Sequence, residues 1–484
     1  MSTQNNIKYS FLTSLIPFFV TLCLLLSFSY LYGKDIAEGY SQLALLVGGL
    51  VAIGIGLYRK RSGWVIWKSI VANMKPVWRM LFFLMLIGAT SVAWCLGGII
   101  PTMVYYGLKC FSPKTFLVTT ALFSGLMALA CGSSWLTIGT MGVAFLGIGK
   151  ILGLPLPLVA GAIISGAYFG DKVTPLSETT TLAASMTQTP MLRHVRYMLL
   201  TSVPCFLLTL FIFGVLGLFY GGDGHQTGSD TGVMQLLEQR FYLSPLLLLL
   251  PLLVMGFTML GYAPALLLSI NIVFSLLIGG IYQTSFWGEV LGTTSFNWTE
   301  HWYGLVRRLF FGMEVADANT IMARLLCSNG VWGMLPTIAI VLSSLFLGGA
   351  MEGTGLLHTL VQGMNKTCSY RMLVVSTTLV ALFFNIALAD QYLAIIMTSK
   401  IFVPLFTLHG LASENLSRAV EDTATVTSPL VPWNTCGVMQ AEVLGVATLV
   451  YLPYCFFNLL SPLFSIGYYL IGIKIAKASD QKTV

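Results

Sequence analysis

"GDKVTPLSETTT", residues 170–181, sets two acids, a lysine, a proline and five hydroxyl side chains between two apolar stretches. Pro175 has no amide hydrogen and its ring collides with the preceding turn, so a regular helix does not run through it. Freed carbonyls at membrane depth are tolerated only where protein buries them or where they line a cavity. The segment reads as a break in a membrane helix.

The surroundings supply the membrane. Of 484 residues, 9% are charged and 56% apolar, with a mean hydropathy of +0.84. Soluble proteins carry about 25% charged residues, so this chain has too few to cover a water-facing surface. Long apolar runs recur at 11–32, 43–58, 81–108, 197–220, 243–260 and 443–473, and a helix crosses a bilayer with roughly 20 such residues. Alternating barrel strands are absent from the pattern. The expected fold is therefore all-α and polytopic. The single Lys8 and the long run after it, without a clear cleavage site, argue against a signal peptide. Nine Cys, mostly single within apolar runs and never as CxxC, read as packing residues, and five dispersed His indicate no metal site. No cofactor is expected.

A net charge of +7 is no nucleic-acid footprint here, because the excess sits in short loops. "YRKRSGWVIWKSIVANMKPVWR" (58–79) holds six Lys/Arg and no acid; Arg193 with Arg196, Lys366 with Arg371, and Lys474 with Lys477 mark others. These loops are expected to face the cytoplasm, as are both termini, and the acidic, Gly-rich 221–238 the outside.

Three pairs of segments repeat in order: 96–108 with 347–360, 119–130 with 377–389, and 165–176 with 417–430. The basic loops give the copies opposite directions. A cytoplasmic 58–79 makes the helix after Thr115 start outside, whereas Lys366 and Arg371 make its counterpart start inside. Inverted repeats with interrupted helices are typical of secondary transporters. The organisation expected is N-terminal helices and basic loop (1–80), repeat 1 (81–220), an inter-repeat region of two helices and an aromatic loop (221–335), and repeat 2 (336–484). Trp287, Trp298, Trp302 and Tyr303 of that loop are expected at the membrane interface.

Pro429, with Pro432 close by, is expected to match Pro175, so that two breaks meet near the bilayer midplane. One offers Asp171, Ser177, Glu178, Thr179 and Thr180, the other Glu421, Asp422, Thr423, Thr427, Ser428, Asn434 and Thr435. Hard oxygens suit small hard cations. Glu421 and Asp422 are adjacent and cannot share a helix face, so one ligand is expected of the two; alignment with Asp171 selects Asp422. An ionised acid at the membrane centre costs about 2.5–3.5 kcal/mol or more, so cation and proton compete for one carboxylate. Two polar islands flank the breaks: "CGSSWLTIGT" (131–140), with Ser133, Ser134 and Thr137, and "NIALADQYL" (385–393), with Asn385 and Asp390.

Taken together, "WCLGGIIPTMVYYGL", "GSSWLTIGTMGVAFLGIG", "GDKVTPLSETTTLA", "ADQYLAIIM" and "EDTATVTSPLVPWNTCG" resemble the NhaC family of sodium/proton antiporters, over roughly residues 81–474. The resemblance implies inverted repeats with re-entrant hairpins and exchange of Na⁺ for H⁺ in a bacterial-type inner membrane, with Na⁺ at Asp171, Glu178, Thr179 and Asp422. Some members couple organic anions such as malate and lactate, so an organic-anion or amino-acid exchanger is the alternative. Glu178 stands where the family usually has Asp, Cys131 precedes the GSSW element, and "TSK" (398–400) replaces a more usual "PGR". Expected partners are Na⁺, H⁺, the lipid bilayer and a second copy of the chain. No nucleophile–base motif supports an enzyme, and no filter-like repeat supports a channel.

Overall fold

The computed structural model describes residues 9–32, 39–221, 227–291, 298–313, 326–364 and 372–477. Within them the chain is helical, and the β structure amounts to isolated bridges. Seven helices are long and apolar enough to cross a membrane, or up to ten when each sharply bent pair counts as one span.

Ahead of repeat 1 lie α1 (Phe11–Tyr32), α2 (Tyr40–Tyr58) and α3 (Gly63–Met74). Repeat 1 comprises α4 (Trp78–Leu96), α5 (Ile99–Cys110), α6 (Phe116–Cys131), α7 (Ser134–Ile151), α8 (Leu156–Lys172), α9 (Glu178–Met186) and α10 (Met191–Tyr220). Between the repeats, α11 (Leu249–Met259) and α12 (Pro264–Tyr282) are accompanied by further helices at Thr227–Arg240, Thr284–Leu291 and Trp298–Phe311, so the region is not the two helices and aromatic loop expected: Trp287, Trp302 and Tyr303 lie on helices. Repeat 2 follows as α13 (Leu335–Thr354), α14 (Leu356–Met364), α15 (Leu373–Leu388), α16 (Gln391–Leu408), α17 (Ser413–Val420), α18 (Thr435–Leu444) and α19 (Phe456–Ile471).

Each repeat contains a re-entrant hairpin. The Phe111 ring lies 5.8 Å from that of Phe116, at the start of α6, and 6.4 Å from that of Phe145, near the end of α7. A Cβ placed on Gly149 would come within 3.1 Å of the Phe116 ring. The α7 arm therefore returns to the end from which α6 set out. Its partner hairpin is α15–α16, whose arms pack along one another.

The repeats hold each other's leading helices. α2 and α3 pack on α13, and α12 packs on α4. α4 and α5 meet at a 70° bend, where Gly98 takes φ 74° and the indole of Trp287 donates to the Leu96 carbonyl at 2.9 Å. Trp287 is buried in the protein because a bent helix leaves a carbonyl that needs a donor. Trp302 and Tyr303 are exposed, and the side chain of Trp298 lies outside the described residues.

Candidate functional site

Two backbone interruptions in each repeat, a hairpin tip and a broken helix, converge on one polar core. At the hairpin tips, Gly132 (φ 67°) and Ala389 (φ 56°) turn left-handed, and the following residue is extended and caps the return arm. Ser133 Oγ accepts from the Leu136 amide at 3.2 Å, and Asp390 Oδ1 accepts from the Leu393 amide at 2.9 Å. The broken helices also start their second halves alike. Ser177 Oγ accepts from the Thr180 amide and Asn434 Oδ1 from the Cys436 amide. Caps of this kind satisfy amides that a helix start leaves without partners.

Each tip docks on its own repeat's break. Ser134 donates to Asp171 Oδ2 from both its amide (3.0 Å) and its hydroxyl (2.6 Å), and a Cβ on Gly132 would fall 2.8 Å from the Leu176 backbone. Thr180 Oγ1 reaches the carbonyls of Asp171 and Lys172 at 3.4 and 3.2 Å, and Ser177 and Thr179 hydroxyls lie 3.0 Å apart. Thr137 bonds back to Ser133 O at 3.0 Å. In repeat 2 the Thr435 amide donates to Ala389 O (2.9 Å), and Asn434 Nδ2 donates to Asn385 O (3.1 Å). Asn385 Nδ2 in turn donates to Ala424 O (2.7 Å) and Thr427 Oγ1 (2.9 Å). Ser428 Oγ donates to Gln391 Oε1 at 3.2 Å, and Thr435 Oγ1 to Asp390 Oδ2 at 3.4 Å.

The register of the second break differs from the expected one. Ser133 to Asp390 and Ser177 to Asn434 are equal steps along the chain, and the same step carries Pro175 to Pro432, not to Pro429. Asp171 then corresponds to Ser428 and not to Asp422. The expected match follows the Pro-Leu pairs 175–176 and 429–430, whereas the caps that begin the second halves put Pro432 opposite Pro175; the acids of repeat 2 lie earlier, on a π-helical turn at Glu421–Thr425.

Three further findings concern charge. Lys172, fully buried, donates to Asp422 Oδ1 and to Ser461 Oγ (2.8 Å), while Thr201 Oγ1 contacts both Asp422 oxygens at 3.2 and 3.4 Å. Asp422, the expected cation ligand, is thus the anion of an ion pair between the repeats. Glu178 lies on the exposed side of the first break with Pro175 and Leu176, and Tyr392 of the second hairpin donates to its Oε2 at 3.2 Å. Glu421, passed over in favour of Asp422, is wholly buried, and neither carboxylate oxygen has a hydrogen-bond partner among the described residues. Its charged neighbours are Asp171 and Lys172, and Thr179 and Thr425 are the hydroxyls beside it. The π turn packs on α9 and on the second hairpin. One signal for Glu421 was present in the sequence: two adjacent acids in an apolar run must point apart, so a pairing for Asp422 releases Glu421 to the other side.

A second buried cation has no acid on it among the described residues. Arg418 lies over the Tyr197 ring at 5.1 Å, 1% exposed, with its Nε and Nη1 unpartnered.

The Na⁺/H⁺ antiporter family matches residues 166–473. The chain is 33% identical, over 90% of its own length and 91% of the relative's, to the Na⁺/H⁺ antiporter NhaC of Alkalihalophilus pseudofirmus. It is 34% identical to the malate-2H⁺/Na⁺-lactate antiporter of Bacillus subtilis, covering 90% and 89% of the two chains. It is also 34% identical to the arginine/ornithine antiporter ArcD of Halobacterium salinarum, covering 79% and 76%.

Proposed function

Because the chain belongs to the Na⁺/H⁺ antiporter family, we propose that it exchanges Na⁺ for H⁺ by alternating access, with Glu421 and Asp171 as the carboxylates that take either ion. The observation that carries the reading is Glu421, buried between the two repeats with no hydrogen bond to either oxygen from the described residues. A bare carboxylate in a membrane interior costs about 2.5–3.5 kcal/mol or more. It is therefore held as an acid or around a cation, and each ion displaces the other. Thr179, Thr425 and the hydroxyls of Ser134 and Ser177 add neutral oxygens of the hardness Na⁺ prefers.

The remaining groups have supporting roles. Lys172 neutralises Asp422 and the start of α16 holds Asp390, so Asp171 and Glu421 are the two acids left for a monovalent cation and a proton. The neutral network of Asn385, Thr427, Ser428, Asn434 and Thr435 holds the second break rigid beside the site. Asp390 caps the second hairpin, and Glu178 stands at the exposed edge, where an arriving cation is first attracted. The basic loops 58–79 and 364–371 face the cytoplasm in this reading.

The test is transport in proteoliposomes. An inward Na⁺ gradient should drive H⁺ out and build a pH gradient with no organic solute present. Absence of Na⁺-driven proton movement in folded, reconstituted protein would refute the exchange.

A second reading rests on Arg418. A buried guanidinium with unpartnered donors is what a carboxylate substrate would need, and two relatives of equal identity carry organic solutes. Proton movement that requires malate, lactate or arginine, and falls in Arg418→Gln, would favour it.

A further inference from the structure

Between α2 and α4 the chain forms a surface helix with two unlike faces. One face is keyed to repeat 2. Ile66 and Ile70 are buried against α13. A Cβ on Gly349 would lie 2.6 Å from Ile70 Cα, and one on Gly353 2.8 Å from Ile66 Cα. Asn73 Nδ2 donates to Glu352 Oε2 at 3.0 Å, and Arg61 Nε donates to the Gly353 carbonyl at 3.2 Å.

The other face carries Trp64, Trp67, Lys68, Val71, Lys75 and Trp78 at steps of three and four residues, which is one stripe of a helix. The stripe runs from α3 through the single turn Lys75–Val77 into the start of α4. All six residues are exposed, with Trp64 at 73% and Trp78 at 63%. Arg59, Lys60 and Arg79 are exposed at its ends, and 58–79 contains no acid.

Such a stripe fits neither the acyl layer nor bulk water. Other lipid-facing surfaces here carry Leu, Phe and Val, as α10 does with Leu207, Phe211 and Leu218. Tryptophan concentrates at headgroup level, where its ring is half in hydrocarbon and its N–H reaches water. Lysine beside it lays its stem on the apolar surface and lifts its charge to the phosphates. A basic amphipathic helix with tryptophans lies in the interfacial plane.

We infer that the tryptophan–lysine stripe of 64–78 binds the headgroups of anionic phospholipids and anchors α13 of the second repeat to that leaflet. An acidic protein surface would use the lysines but leave three exposed indoles without a reason. The inference stands apart from the ion site, and its test does not depend on transport.

Purified full-length protein in neutral detergent is titrated with phosphatidylglycerol or phosphatidylcholine while its thermal unfolding is followed. Phosphatidylglycerol should raise the Tm and phosphatidylcholine should not. Each basic residue near an anionic surface contributes roughly fivefold, so Lys68→Gln/Lys75→Gln/Arg79→Gln should need roughly 100-fold more phosphatidylglycerol for the same rise. Lys68→Arg/Lys75→Arg keeps the charge and should respond as the wild type does. These residues are exposed, so the lipid-free Tm of each variant should match the wild type. Equal stabilisation by both lipids, no stabilisation by either, or an unchanged response in the triple Gln variant would overturn the assignment.

Discussion

At the first hairpin tip Gly132 turns left-handed, Ser133 extends, and a hydroxyl caps α7; at the second, Ala389, Asp390 and α16 do the same with a carboxylate. The broken helices follow suit, with Ser177 and Asn434 as caps of one geometry. Charge does not follow the backbone. Asp171 of the first break corresponds in register to the neutral Ser428, whereas the acids of repeat 2 sit one turn and more earlier, on the π turn Glu421–Thr425. Duplication has preserved where the helices open and has reassigned what they present. A fold of this kind needs two openings so that rigid halves can rock about them, but one set of uncommitted acids is enough to carry the ion.

The comparison breaks most visibly at the bond that joins the halves. Lys172→Met leaves Asp422 buried and unpaired, which should cost about 3–5 kcal/mol of stability and show as a large fall in Tm. Lys172→Met with Asp422→Leu should recover most of that loss, because apolar replacement of both partners is close to neutral. A single mutant as stable as the wild type would mean that the pair does not hold the repeats together.

Next come the acids. Glu421→Gln should reduce Na⁺-driven proton flux by roughly 100-fold, about 2.8 kcal/mol of ion binding, in protein whose thermal unfolding is unchanged. Glu178→Gln should keep exchange with a weaker apparent Na⁺ affinity, since its carboxylate stands on the exposed edge. Reversed sensitivities would move the site outward to Glu178.

The tips should respond with opposite signs. Gly132→Ala places a Cβ in a left-handed turn and 2.6 Å from Leu176 Cβ, so it should lose about 1–2 kcal/mol or more. Ala389→Gly relieves the same conformation and should gain about 0.5 kcal/mol after the entropy cost of glycine. Most alike should be the caps: Ser177→Ala and Asn434→Ala should each cost about 1 kcal/mol. Unequal cap losses in thermal unfolding would show that the two breaks are less alike than their dihedral angles indicate.

Much of this was legible in the sequence because it follows from local chemistry. A proline among hydroxyls in an apolar run announces a break, and Gly-Ser and Ala-Asp tips announce hairpins. The rest depended on register. Matching the Pro-Leu pair 429–430 to 175–176 placed Pro429 opposite Pro175 and aligned Asp422 with Asp171, whereas the caps at Ser177 and Asn434 set Pro432 and Ser428 there. The pairing of Lys172 with Asp422 is a contact between residues 250 apart, which no periodicity records. Trp287 read as interfacial by residue type, and only the bend at Leu96 shows why it is buried.

Central to the account is that Na⁺ and H⁺ compete for the same buried carboxylates. The apparent KM for Na⁺ of the reconstituted wild type, measured across a pH series, tests this most directly. KM should rise as pH falls, by about tenfold per unit for each competing proton on the acid side of the titration, and the maximal rate should be recovered at saturating Na⁺. A KM that stays flat with pH while the maximal rate changes would place the proton and the cation on separate groups and contradict the account.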